Sequence, residues 1–523
     1  MKIDTRKLDT RKLDTRKLDT RKLDTRRNKR KDKNNKNNKN NKNNKNNKNN
    51  KNNKNKTIKY DSMHVVCNSD SIIKEDPIGP VCISRNDIWG TSTQRAIHYF
   101  SISKELMPIE IIYAYAIIKK NAAKANYDIG LLKENKKKDA IIGACNEILN
   151  KKYDNAFPLH VWQTGSGSYT NMNVNEVISN IANKLIKNNM EIDPHDDVNR
   201  SQSTNDTFGA AIQIAACILL NTNLLPNLLF MINTFKKKQH DFKNMIKIGR
   251  THMEDAVPIT FGEEFSGYVS LLEYSMDNIK KALLNLYILG LGGTAIGIGT
   301  NTLKSFGPLI CKYISKELKM PFNSAKNKIA LITAHNSILE CSDSLKMLAT
   351  NIIKISNDII LMNSGPKSGF KELTIHSNEP GSSIMPGKVN PSQLEAAIMA
   401  SIQVISNNLA ISISNAEGKL EMNMCKPLIA YNIIQSLHLL SDICKNMTAY
   451  CISTIKINIQ QNKDNVEQSL SLVTALTPYI GYNKSAELSN YAFKHNLTIK
   501  EANHKMKYVD ETKIDGYFDD IKI

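Results

Sequence analysis

The chain has 523 residues and a formal net charge of +21, but residues 1–56 hold 23 Lys/Arg against 6 Asp, a net of +17, while the other 467 residues balance 48 basic with 44 acidic side chains. The basic excess belongs to the first 56 residues, so it gives no ground for reading the rest as a nucleic-acid binder. No run approaches 18 consecutive apolar residues, which argues against a membrane span. Nine scattered cysteines, without C-x-x-C or zinc-like pairing to histidine, argue against a metal site and predict buried thiols in a reducing compartment.

The first 56 residues are two repeats, "RKLDT" from Arg6 to Thr25 and an "NNK" array to about Lys56. With so few apolar side chains the segment cannot offset its ordering entropy, so a disordered, solvated low-complexity tail is expected. A basic arm touching RNA, anionic lipid or an acidic partner is the alternative. The tail lacks an apolar h-region and repeats Asp every five residues, so it carries no clear targeting signal. That leaves mitochondrion or cytoplasm as the expected location.

The rest divides by pattern into an N-terminal domain (57–201), a central helical domain (202–460) and a small helical C-terminal domain (461–523). "GPVCIS" (79–84) predicts a strand. Helical spacing after Pro108 predicts a helix from Met107 to Tyr127, with Gly130 beyond its end. The segment "WQTGSGSYTNMNVNEV" (162–177) reads as a polar loop that turns helical around Asn175. Long apolar periodicities then predict helices at Phe208–Leu220, Leu224–Asn244, Glu263–Leu289, Thr333–Ser364, Ser392–Ser414 and Ala430–Ile455. Such lengths suggest a bundle with faces buried all round, and so an oligomer. Near the end, "TPYIGYNKSAEL" reads as a loop-to-helix junction.

Four polar loops interrupt the helices: "GSGSYTNMN" (165–173), "SQSTND" (201–206), "GRTHMED" (249–255) and "NEPGSSIMPGKVNP" (378–391). Each sets hydroxyls, amides or a histidine beside a helix end, where free N–H groups and the helix dipole favour anions. If they converged they would suit a small dicarboxylate. Taken singly, each is equally an ordinary N-cap, and His252 an ordinary structural histidine. Spacing alone leaves these alternatives open.

In this order the loops resemble the class II fumarases of the fumarase/aspartase lyase superfamily. "GSSIMPGKVNP" looks like the superfamily signature. "VNRSQSTNDTF", "KIGRTHMEDAVP" with "EFSGY", "LGLGGTAIG" and "SLVTALTPYIGY" are each similar to fumarase segments. The resemblance covers roughly Ile72 to Tyr517. It implies a mainly α, three-domain fold whose central long-helix bundle forms a 20-helix core in a homotetramer, with each active site drawn from three chains. The implied reaction is the reversible hydration of fumarate to L-malate through an aci-carboxylate intermediate, without cofactor or metal. Ser382 and His252 match the family's catalytic pair. Lys388 and Asn390 would hold the charged carboxylate, with Ser166, Ser168, Ser203, Thr204, Asn205, Thr251 and Ser383 as further substrate contacts. Glu395 matches the position that orients the histidine.

Some residues depart from the family pattern. Ser168 and Thr204 exchange one hydroxyl residue for another. Glu254 replaces a usual Gln beside His252. "IDPHDDVN" replaces the usual H-P-N-D of an accessory carboxylate site. Asp193, His195 and Asp196 stand there, and an added Asp should repel a dicarboxylate. Aspartate ammonia-lyase is the alternative enzyme, and a non-catalytic scaffold or RNA-binding protein the alternative class.

Overall fold

The computed structural model describes residues 57–60, 63–67, 70–186 and 190–519; the repeat tail lies outside them. Two short antiparallel hairpins open the described chain, β1 (Thr57–Tyr60) with β2 (Met63–Val66), and β3 (Ser71–Asp76) with β4 (Gly79–Ser84). The expected strand at 79–84 is thus present. Cys67 follows β2, and its Cα lies 5.8 Å from that of Cys82 on β4. The pair is joined as a disulfide, which corrects the expectation of nine thiols; the other seven cysteines are free. That Cα separation lies within the bridging range.

Four helices follow: α1 (Thr91–Tyr99), α2 (Ile109–Asp128), α3 (Asn135–Leu149) and α4 (Ser168–Leu185). Helix α1 has no cap of its own, because Gly90 stands at its N-cap. The buried carboxylate of Glu176 on α4 supplies one, accepting the backbone N–H groups of Gly90, Ser92 and Thr93. Helix α4 starts at Ser168, seven residues before the expected turn to helix. Thr170, Asn171, Asn173 and Asn175 made that stretch look like a loop. In the structure they are buried, and each donates a side-chain hydrogen bond: Thr170 to Gln163, Asn173 to the Ala156 carbonyl, Asn171 and Asn175 to Asn199.

Helices α5 (Thr204–Leu219) and α6 (Leu225–Asp241) were expected as separate elements. They form one rod of 38 residues, joined by a wide π turn at Leu220–Leu224. Pro226 explains the turn, since its ring would clash with the carbonyl four residues back in a regular helix. The hairpin of β5 (Ile246–Thr251) and β6 (Glu254–Thr260) leads into α7 (Phe261–Leu286). Then come α8 (Phe306–Leu318), α9 (Lys328–Thr333), α10 (Asn336–Asn363), α11 (Ser392–Ala416) and α12 (Lys426–Tyr450). The rod, α7, α10, α11 and α12 pack side by side, with α2 and α4 against α5 and α3 against α2 and α4. Their apolar faces fill one core running from Met107 to Ile455.

The chain ends in α13 (Ile459–Gln468), α14 (Val473–Ile480), α15 (Tyr482–His495), α16 (Ile499–Met506) and α17 (Ile514–Asp519), built round a second, smaller core that includes Ile248 of β5. The expected junction falls at Gly481, whose φ of 79° lets α14 turn directly into α15. Among the described residues two helices, the rod and α11, are long and apolar enough to cross a membrane. The rod lies in the packed bundle, whereas α11 keeps Met399, Ile402, Leu409 and Ile413 exposed.

Candidate active site

Two of the four loops meet within the chain. In the first, Gly165 allows a close approach: a Cβ there would lie 1.7 Å from the Met424 carbonyl oxygen. Gly167 turns the chain into α4 with φ 78°, and its missing Cβ leaves room for the Phe208 ring. Ser166 and Ser168 then share a hydrogen bond of 2.8 Å between hydroxyls. In the second, Ser203 caps α5 in a reciprocal box with Asp206. Thr204 and Asn205 fill the first turn, half-buried. Lys426, the first residue of α12, joins the loops. Its backbone N–H donates to the Gly165 carbonyl and its ammonium to the Asn205 amide oxygen.

Beneath these groups lie charges that sequence reasoning missed. Asp206 accepts from the backbone N–H groups of Ser203, Gly292 and Thr294, and burial still raises its pKa to about 6. Burial pulls Lys119 down to about 7 and Lys426 to about 8, each partly restored by Asp206. His335, next to Lys426, is pushed down to about 3, chiefly by burial, and is therefore neutral. Asp206 was visible in "SQSTND" as a capping residue. Lys119 gave a weaker signal, a cation amid the apolar residues of α2.

The third loop is the tip of the β5–β6 hairpin. Thr251 pairs with Glu254, and His252 and Met253 form the two-residue turn with φ 55° and 66°. Left-handed conformations at both central positions match the twist of the strands. The tip points Thr251, His252, Met253 and Glu254 into solvent. Its base is held by the buried Glu372, which pairs with Lys247 and Arg250.

In the fourth loop, Gly381 (φ 98°) passes close to the Lys388 carbonyl, which accepts the Ser382 N–H at 3.0 Å. The Ser382 hydroxyl oxygen in turn accepts the N–H groups of Ile384 (3.4 Å) and Met385 (3.3 Å). Glu379 anchors the loop end, accepting from Asn390 and Ser392. Ser383 and Lys388 are exposed, as is Glu395 on α11. Among the described residues, no hydrogen bond or ion pair joins His252, Ser382, Lys388 or Glu395 to the serine loops. Hydrogen bonds within one chain thus link the two serine loops to each other.

At 193–196 the anion position is already filled. The Asp193 carboxylate accepts the N–H groups of His195 and Asp196, each at 2.7 Å, at the start of a short π turn. His195 and Asp196 point outward. Among the described residues no cluster of His, Cys, Asp and Glu is placed to hold a metal ion.

Residues 79–406 match a family model described as lyase, and residues 472–522 one described as fumarase C C-terminus. A class II fumarate hydratase of Wigglesworthia glossinidia brevipalpis is 46% identical over 447 residues, covering 85% of this chain and 96% of that protein. One from Prochlorococcus marinus subsp. pastoris is 46% identical over 440 residues, covering 83% and 95%. Among solved structures, the class II fumarase of Schistosoma mansoni superposes with a TM-score of 0.84 at 38% identity, covering 87% of this chain and 99% of that one. A fumarate lyase:delta crystallin of Brucella melitensis gives 0.82 at 33%, covering 86% and 99%. A match of this extent on sequence, fold and loop order places the chain in the class II fumarate hydratase family of lyases.

Proposed function

We propose that this chain is a fumarate hydratase, interconverting fumarate and L-malate, and that it works as a homotetramer whose active sites are completed between chains. The observation that carries the chemistry is the cradle at Ser382. In the malate-to-fumarate direction a weakly acidic C–H must lose its proton beside a carboxylate. A serine is a base for that step only as an alkoxide. Two backbone N–H groups aimed at the Ser382 oxygen stabilise that charge.

Ser382 takes the carbon-bound proton, and the electron pair left behind spreads into the adjacent carboxylate as an aci-carboxylate dianion. Lys388 and Asn390 hold that dianion. The pair then forms the double bond as the hydroxyl leaves from the neighbouring carbon. His252, with Thr251 beside it, delivers a proton to the leaving hydroxyl, so that water departs. Ser166, Ser168, Ser203, Thr204, Asn205 and Ser383 donate to the substrate carboxylates. Glu395 orients His252 from another chain. The Asp193 carboxylate, occupying the backbone donors at 193–196, repels a dicarboxylate there, so no accessory site operates in this reading.

Two features support the tetramer. Thr251, His252, Ser383, Lys388 and Glu395 are exposed in one chain, and among the described residues no hydrogen bond or ion pair ties His252, Lys388 or Glu395 to the serine loops. Helix α11 also shows an unpartnered apolar seam, Met399, Ile402, Leu409 and Ile413, at spacings of three, seven and four residues. The test of function is substrate competition by the purified protein. L-Malate should give rising fumarate absorbance, while L-aspartate should release no ammonia above background. Ammonia release matching malate turnover would replace the hydratase by the aspartate ammonia-lyase reading.

A further inference from the structure

Lys426 is fully buried at the first position of α12. That place is costly twice over, because it desolvates an ammonium and sets it at the positive end of a helix. Its contacts show what the position achieves. The backbone N–H reaches the Gly165 carbonyl at 3.1 Å, and the ammonium reaches the Asn205 amide oxygen at 3.3 Å. Gly165 and Asn205 belong to different loops, and one residue spans both. The Asn205 amide nitrogen donates meanwhile to the Ala295 carbonyl at 2.8 Å. An ammonium only donates and a carbonyl only accepts, so the amide is fixed in one of its two flips. Its remaining capacity toward a ligand includes the second N–H.

We propose that Lys426 is the positioning residue of the carboxylate-binding half of the site, setting the spacing of the two serine loops and fixing Asn205 as a donor toward the substrate. This rests on the hydratase reading, in which Asn205 touches a substrate carboxylate. Without the ammonium only the Ala295 carbonyl opposes the flip that turns the amide oxygen toward the ligand, where it repels a carboxylate. The bury-and-bridge arrangement therefore selects for an anion without Lys426 itself touching it.

A double-mutant cycle on the full-length protein tests this, read as kcat and KM for fumarate with a thermal melt for each variant. Lys426→Met, close in volume but unable to donate, is expected to lose about ten- to a hundredfold in kcat/KM. Asn205→Ala should lose a similar factor, and the double variant should be no worse than Asn205→Ala by more than about twofold. Lys426→Gln, which keeps a donor, should recover part of the loss. A merely structural role would give losses that multiply, with no recovery by Gln, and would overturn the proposal. So would a Lys426→Met enzyme within about twofold of wild type while Asn205→Ala is impaired. If Asn205→Ala is itself unimpaired, the fault lies in assigning Asn205 to the substrate, and the proposal falls with that assignment. Should Lys426→Met fail to fold, the same cycle run with Lys426→Leu, which likewise cannot donate, decides by the same criterion.

Discussion

Arg250 and Glu372 meet through a guanidinium nitrogen and a carboxylate oxygen 2.5 Å apart, with the Glu372 side chain wholly buried. The other carboxylate oxygen lies 3.3 Å from the Lys247 ammonium. Both cations belong to β5, six or fewer residues before His252. Glu372 follows α10, so the pair ties the histidine hairpin to the helical body. Removing one partner of a buried pair leaves charge uncompensated, typically at a cost of about 3 kcal/mol or more. Glu372→Gln should therefore lower the melting temperature measurably and reduce kcat, the hairpin having lost its fixed base. A melting curve and turnover equal to wild type would show that the hairpin does not depend on this pair.

Ser382→Ala should lower kcat roughly a hundredfold or more, the scale of a positioned proton-transfer group. His252→Asn should do the same. Asn is the informative replacement because His252 sits at φ 55°, a region Asn tolerates, so the turn survives. Both proteins should keep wild-type circular dichroism and native mass. Activity within a few-fold of wild type in either would remove that residue from the proton transfer.

Two glycines separate space from strain. Gly165→Ala places a methyl 1.7 Å from a carbonyl oxygen, so the loop must move and activity should be largely lost. Gly387 has φ 81° but open space around it. Gly387→Ala should cost only the left-handed strain, about 1 kcal/mol, and leave substantial turnover. Equal kinetics for the two would mean that the loop at 165 is not packed against Met424 in the working enzyme.

The buried lysines predict a pH dependence. Lys119 falls to about 7 in the folded chain, against about 10.4 in an unfolded one. Between those values the unfolded state binds more protons, so this group makes stability rise with pH and fall again as pH drops toward 7. Lys426, at about 8, acts in the same direction over the upper part of the window. Melting temperatures at pH 7 and 9 should differ less in Lys119→Met than in wild type. An unchanged difference would show that Lys119 does not titrate in this window.

Assembly can be tested at the α11 seam. Leu409→Arg puts a charge where an apolar side chain is 61% exposed in one chain. A lone chain would tolerate it, whereas a packed helix interface would not. Native mass spectrometry should show smaller species, with malate turnover lost although every proposed site residue is intact. A stable monomer in the unmodified protein, active at all dilutions, would contradict the tetramer. The tail should be dispensable for both properties, so a chain beginning at Thr57 is expected to keep mass and turnover.

Much of this was legible in sequence because the site lies where helices stop. Glycine, proline and hydroxyl residues in 165–173, 201–206 and 378–391 break a strong apolar period, and both the helices and the loops follow from that contrast. Polar residues working inside helices were harder to read. Asn171 and Asn173 looked like loop residues, because their bonds to Asn199 and the Ala156 carbonyl are tertiary facts. Lys119 and Lys426 drew no reading from the sequence, because burial is not written in residue type. Nor could local pattern show that the turn forced by Pro226 would fuse two helices into one rod.

Among the described residues no hydrogen bond or ion pair joins the His252 tip to the Ser382 loop within a single chain, and a centre shared between chains has a genetic consequence. If a working centre takes its histidine from one copy and its serine from another, the two defects need not fall on the same centre. A cell making both Ser382→Ala and His252→Asn chains would assemble hybrids in which roughly a quarter of the centres receive two sound parts. Two alleles that are each dead alone would then support growth together.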